Sequence, residues 1–263
     1  MQHSIKKGSP IYLLPSVLTL GAMFCGFYAV IQSINNNFVI AGFAVFIAMI
    51  FDSMDGRVAR LTHTSSPFGA ELDSLADMVS FGIAPAVIAF NWKLHSFGKI
   101  GWLFAFVYCA CAGLRLARFN TMVGIVDKKY FLGMPSPAAA ALVVGFIYLC
   151  ASYKLHGTFV TICGTTITIV AALSMVSNIK FYSFKEINFQ HKGRFRVLLI
   201  ILLISTLLLI YPEFVIYGFF LSYTLISYFN FIFRIGYNNQ PHSTLEDDIE
   251  SITNNIMNDE EDI

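Results

Sequence analysis

Eight stretches of this chain are apolar over most or all of a bilayer's thickness, and that feature limits the fold more than any other. A spanning helix needs about 20 mostly apolar residues, because the hydrocarbon core is about 30 Å thick and each helical residue rises about 1.5 Å. The stretches are 11–33, 38–62, 68–92, 100–119, 135–153, 158–178, 197–211 and 214–233. With 56% of the 263 residues hydrophobic and only 13% charged, a soluble globular body is excluded. The expected fold class is all-α: a polytopic membrane helical bundle of about eight transmembrane helices, the last two joined through Tyr211-Pro212-Glu213 as a C-terminal hairpin.

Charge gives the bundle a direction. In an eight-span arrangement with the N-terminus inside, fourteen of the seventeen Lys and Arg residues fall on the inner side, and only Lys93, Lys99 and Lys154 fall outside. Both termini are therefore expected in the cytoplasm, in a multi-pass protein of the cell's inner membrane. Lys6 and Lys7 precede an apolar run longer than that of a signal peptide, so the first span is read as retained. Eight of the sixteen acidic residues lie within 246–262, which has no Lys or Arg. Residues 1–236 are accordingly expected to form the transmembrane domain and 237–263 a solvated acidic tail. The five cysteines all sit in apolar stretches without metal-ligand spacing and read as packing residues. No nucleic-acid partner is expected.

Most of the remaining acid is concentrated in two charged spans. Asp52 and Asp55 are three residues apart, and Asp73 and Asp77 are four apart, so on helices each pair shares a face. Four carboxylates brought together at a membrane surface repel one another and lose hydration, and divalent cations are the natural compensation. Hard oxygen ligands favour magnesium, manganese or calcium. Gly56, Ala59 and Gly69 leave room for a ligand to approach the backbone, and Arg60 offers a partner for phosphate. Metals, an arginine and a small-residue groove together suit a pyrophosphate substrate. The competing reading is a set of structural charges paired with Arg57, Arg60 and Arg115.

The pattern D-x-x-D-G-x-x-A-R-x8-G-x3-D-x3-D, met here at Asp52, Asp55, Gly56, Ala59, Arg60, Gly69, Asp73 and Asp77, resembles the signature of the CDP-alcohol phosphotransferase family. The resemblance implies a six-helix intramembrane core, usually homodimeric, that binds a CDP-linked substrate and one or two divalent metals (Mg2+ or Mn2+) at the cytoplasmic face. It implies that Asp52, Asp55 and Asp73 are metal ligands, and that Asp77 lies near the metal as general base. Asp52, Gly56, Ala59, Arg60 and Gly69 would line the site for cytidine and its phosphates.

The flanking residues 72–85, the block Leu114-Arg115-Leu116-Ala117-Arg118-Phe119-Asn120 and the block Gly133-Met134-Pro135-Ser136-Pro137-Ala138-Ala139-Ala140 resemble the serine-accepting branch of that family. This implies CDP-diacylglycerol and serine as substrates, CMP as a product and the bilayer as surroundings. Arg115 and Arg118, three residues apart at the inner end of the fourth span, can reach a lipid phosphate or a serine carboxylate, and Asn120 can add a hydrogen bond. The alternative is that both arginines snorkel to the interface. Block 133–137 reads as a helix start with prolines, without chemistry of its own. The other functions compatible with the acidic cluster are a sister enzyme using glycerol phosphate, inositol phosphate or another alcohol, an intramembrane prenyltransferase, and a cation transporter.

Overall fold

The computed structural model describes residues 13–62, 64, 66–121, 130–182, 202 and 205–233. Its helices are α1 (Leu13–Ile34), α2 (Phe38–Leu61), α3 (Pro67–Asp77), α4 (Ala84–Trp92), α5 (Lys99–Thr121), α6 (Ser136–Ser152), α7 (Thr158–Val176) and α8 (Pro212–Ile232). A π-helical segment, Met78–Ile83, joins α3 to α4, so that Pro67–Trp92 forms one continuous apolar stretch. Six helical stretches among the described residues are long and apolar enough to cross a membrane, and the chain is an integral membrane protein of the all-α class. Large apolar side chains point outward from the bundle, as on Phe24 and Phe159, where lipid rather than water would surround them.

Two compact units divide the chain. The first, Met1–Ser227, carries all the elements before the end of α8. Of the second, Tyr228–Ile263, the described part is helical to Ile232, with the rings of Phe229 and Phe233 4.3 Å apart. The acidic tail lies outside the described residues, as does the first part of the expected span 197–211 apart from Leu202. Residues 205–210 of that span are helical. One non-helical residue then follows, Tyr211, as the Pro at position 212 requires of its predecessor.

Small residues set the spacing of the bundle. The buried face of α1 is Thr19, Ala22, Gly26, Ala29 and Ser33, which recur at alternating steps of three and four and let another backbone come close. A Cβ built on Gly26 would stand 2.6 Å from the Cα of Ser80, so this crossing admits only glycine. Polar rungs tie the same face to its neighbours: the Ser80 hydroxyl donates to the Ala22 carbonyl (3.0 Å), and the Asn91 amide donates to Ser33 Oγ (3.0 Å).

The π segment has a cause in the sequence. Pro85 has no N–H to return to the carbonyl of Phe81, and the buried Tyr108 hydroxyl of α5 donates to that carbonyl instead (3.2 Å). The Ala84 N–H reaches back five residues to Val79. At 17 residues α6 rises only about 25 Å, short of a full hydrocarbon core, and twelve of its residues are buried. The span expected over 135–153 is thus an interior helix, surrounded by its neighbours in the bundle rather than by lipid.

One feature departs from a purely helical expectation. β1 (Tyr130–Leu132) pairs antiparallel with β2 (Lys180–Tyr182), with Phe131 opposite Phe181. Three residues are too few to show as a period in the sequence, yet the ribbon ties the chain entering α6 to the chain leaving α7.

Candidate active site

Asp52 and Asp55 lie one turn apart near the C-terminal end of α2, and Asp73 and Asp77 lie on the facing side of α3. The turn between the helices is fixed locally. Thr62 Oγ1 donates to the Val58 carbonyl (2.7 Å), and the Thr64 N–H donates to the Ala59 carbonyl (3.0 Å). Ser66 then caps α3 by accepting from the Gly69 N–H (3.0 Å), with Pro67 in the first turn. Ser66 and Pro67 are a helix-start signal that explains where α3 begins, and hence which face Asp73 and Asp77 present.

Asp52, Asp55 and Asp73 each offer a carboxylate oxygen, and these oxygens lie within 4.8 Å of one another. Asp77 stands beside them, its carboxyl group close enough to that of Asp52 for the two to interact. Asp55 is only 5% exposed and is held from two directions. Thr19 Oγ1 of α1 donates to its Oδ2 at 2.7 Å, and the Gly56 N–H donates to Oδ1. Thr19 also lies 3.0 Å from the Pro15 carbonyl, the usual back-bond of a helical Thr, so the carboxylate is the nearer acceptor. A group of three carboxylates offering only oxygen fits a hard divalent cation, where a thiol or imidazole set would have favoured a softer one.

Around this cluster the expected binding residues separate. Arg60 is exposed, and a Cβ built on Gly56 would be 3.8 Å from its Nη1, so the guanidinium runs along the Gly56 side of α2. Ala59 and Gly69 flank the α2–α3 turn through their backbone bonds. Arg115 does not simply snorkel. It is partly buried, close enough to Asp77 and Asp52 to interact with both charges, and its Nη1 donates to Ser136 Oγ at 2.6 Å. Its guanidinium also lies 5.8 Å from the ring centre of Phe119. Arg118 turns elsewhere and donates to Asn178 Oδ1 (2.9 Å), while the Asn120 amide donates to Ser74 Oγ (3.0 Å), next in sequence to Asp73. Of the three candidate acceptor residues, Arg115 is the one brought to the aspartates.

Residues 12–172 match the family model for CDP-alcohol phosphatidyltransferase. The match covers α1 through most of α7, including every aspartate above. The chain belongs to the CDP-alcohol phosphatidyltransferase family. Similar curated proteins agree: a CDP-diacylglycerol--serine O-phosphatidyltransferase of Helicobacter pylori (strain ATCC 700392 / 26695) is 35% identical over 234 residues, 88% of this chain and 97% of its own length. Proteins of the same name from Methanocaldococcus jannaschii and Saccharomyces cerevisiae are each 43% identical, over 137 residues (52% of this chain, 61% of theirs) and 141 residues (48% and 50%).

Two residues of this CDP-alcohol phosphatidyltransferase escaped the sequence reading. Thr19 carried one available signal, its place in the small-residue stripe of α1, which marks a buried helix face on which a hydroxyl needs a partner. Ser136 lay in a block read as a helix start, and only the packing of α6 beside α5 reveals its contact with Arg115.

Proposed function

We propose that this chain transfers the phosphatidyl group of CDP-diacylglycerol to the hydroxyl of L-serine, giving phosphatidylserine and CMP. The observation that carries the reading is the convergence of Asp52, Asp55, Asp73 and Asp77 in a chain similar along nearly its whole length to an enzyme named for that reaction. The site lies at the cytoplasmic face of the inner membrane, in keeping with the Lys and Arg bias, and the protein works as a homodimer. The first 236 residues form the catalytic domain, with a cytoplasmic acidic tail behind them.

Asp52, Asp55, Asp73 and Asp77 hold Mg2+ or Mn2+. When bound, such a cation neutralises pyrophosphate oxygens and stabilises the leaving phosphate. Gly56, Ala59 and Gly69 leave space for cytidine, and Arg60 meets the phosphate of the CMP half. Asp77 takes the proton from the serine hydroxyl as that oxygen bonds to the phosphorus attached to diacylglycerol. The bond from this phosphorus to its bridging oxygen breaks, and the electron pair leaves with CMP. Arg115, beside Asp77, receives the serine carboxylate, with Arg118 and Asn120 shaping the acceptor side.

Proteoliposomes containing the purified protein, CDP-diacylglycerol and a divalent cation should convert labelled serine into labelled phosphatidylserine. Labelled serine that stays in the aqueous phase while CMP is still released would sink the proposal.

A further inference from the structure

The block Gly133-Met134-Pro135-Ser136-Pro137 does more than start a helix. It is clamped to the exit of α7 by two backbone bonds, Gly133 N–H to the Ile179 carbonyl and Met134 N–H to the Ser174 carbonyl, both 2.9 Å. Gly133 has φ +78°, and a Cβ there would lie 2.3 Å from the Met175 carbonyl oxygen, so the backbone passes where no other residue fits. Pro135 and Pro137 stiffen the segment on either side of Ser136, and Ser136 is fully buried. Its hydroxyl is thus a fixed acceptor rather than a mobile one, and it faces the Arg115 guanidinium at 2.6 Å. Arg118 reaches the same corner through Asn178, so both arginines of α5 are anchored there.

A guanidinium beside two carboxylates has an obvious alternative, which is to fold onto them. A neutral acceptor on the other side holds part of its donor fork away from Asp52 and Asp77. An amino-acid acceptor whose hydroxyl points at Asp77 carries its carboxylate only two carbons away, within reach of a cation held at that place. We infer that Ser136 is a positioning residue for the acceptor: through Arg115 it keeps a guanidinium edge beside Asp77, available to the carboxylate of an amino-acid substrate. This rests on the reading of Arg115 as the group that meets serine.

The test is steady-state CMP release by the full-length protein, varying serine at saturating CDP-diacylglycerol and then the reverse. It compares wild type, Ser136→Ala, Arg115→Lys and the double variant, with thermal unfolding in detergent alongside. Ser136→Ala should raise the KM for serine roughly tenfold, as expected for losing a hydrogen bond to a charged group, leave the KM for CDP-diacylglycerol unchanged and hold the melting temperature. Arg115→Lys, which keeps Ser136, should also raise the KM for serine selectively. Adding Ser136→Ala to it should have little further effect. An unchanged KM for serine in either single variant overturns the inference, as does an equal rise for both substrates or full additivity in the double variant. A wild-type protein that ignores serine but uses another alcohol overturns the functional reading itself, an outcome visible before any variant is made.

Discussion

Asp55 is buried, charged in its working form, and held by a hydroxyl from a different helix, which makes Thr19 part of how the site is built. Ligands oriented by such partners lose about 10- to 100-fold in metal affinity when the partner goes. Thr19→Val, nearly isosteric, should therefore weaken Mn2+ binding by about tenfold, read by electron paramagnetic resonance of free Mn2+ without any turnover. Thr19→Ser should restore it, and equal Mn2+ affinity in Thr19→Val and wild type would remove Thr19 from the site. Asp77→Asn keeps the volume and loses the base. Its kcat should fall by about a thousandfold with an unchanged elution profile and melting temperature. At this scale the sequence showed the aspartates plainly, since spacings of three and four need only a helix to become a shared face. Thr19 and Ser136 were hidden because their partners are 36 and 21 residues away, and only the order of packing says which helices touch.

At the scale of elements, helix positions were legible wherever an apolar run was bounded by polar residues, as at 38–62 and 158–178. The π segment in the third span and the three-residue ribbon were not. A π turn changes the register within an unbroken apolar run, and the ribbon depends on α6 and α7 lying side by side. Pro85 was the one visible trace, and its consequence can be checked. Tyr108→Phe removes the donor to the Phe81 carbonyl and should lower stability by about 1 kcal/mol, seen as a reduced melting temperature in detergent. Gly26→Ala forces a methyl group against Ser80 and should cost about 1–3 kcal/mol in the same assay. A Gly26→Ala protein as stable as wild type would mean that α1 does not approach the π segment this closely.

For the whole molecule, the proposed orientation, drawn from the asymmetry of Lys and Arg, has the site opening toward the cytoplasm. Lys154, in the α6–α7 connection, then lies on the opposite side. In a cysteine-free background, Lys154→Cys should react with a membrane-impermeant maleimide added to the outside of spheroplasts, and protection there would invert the topology. The central claim, however, is chemical, and acceptor choice tests it most directly: metal-dependent release of CMP from CDP-diacylglycerol by the purified protein, with serine, glycerol 3-phosphate and inositol compared side by side. Release with serine alone, abolished by chelation and restored by Mg2+ or Mn2+, is the expected result. Release that depends on another alcohol, or that persists without a divalent cation, would contradict the account.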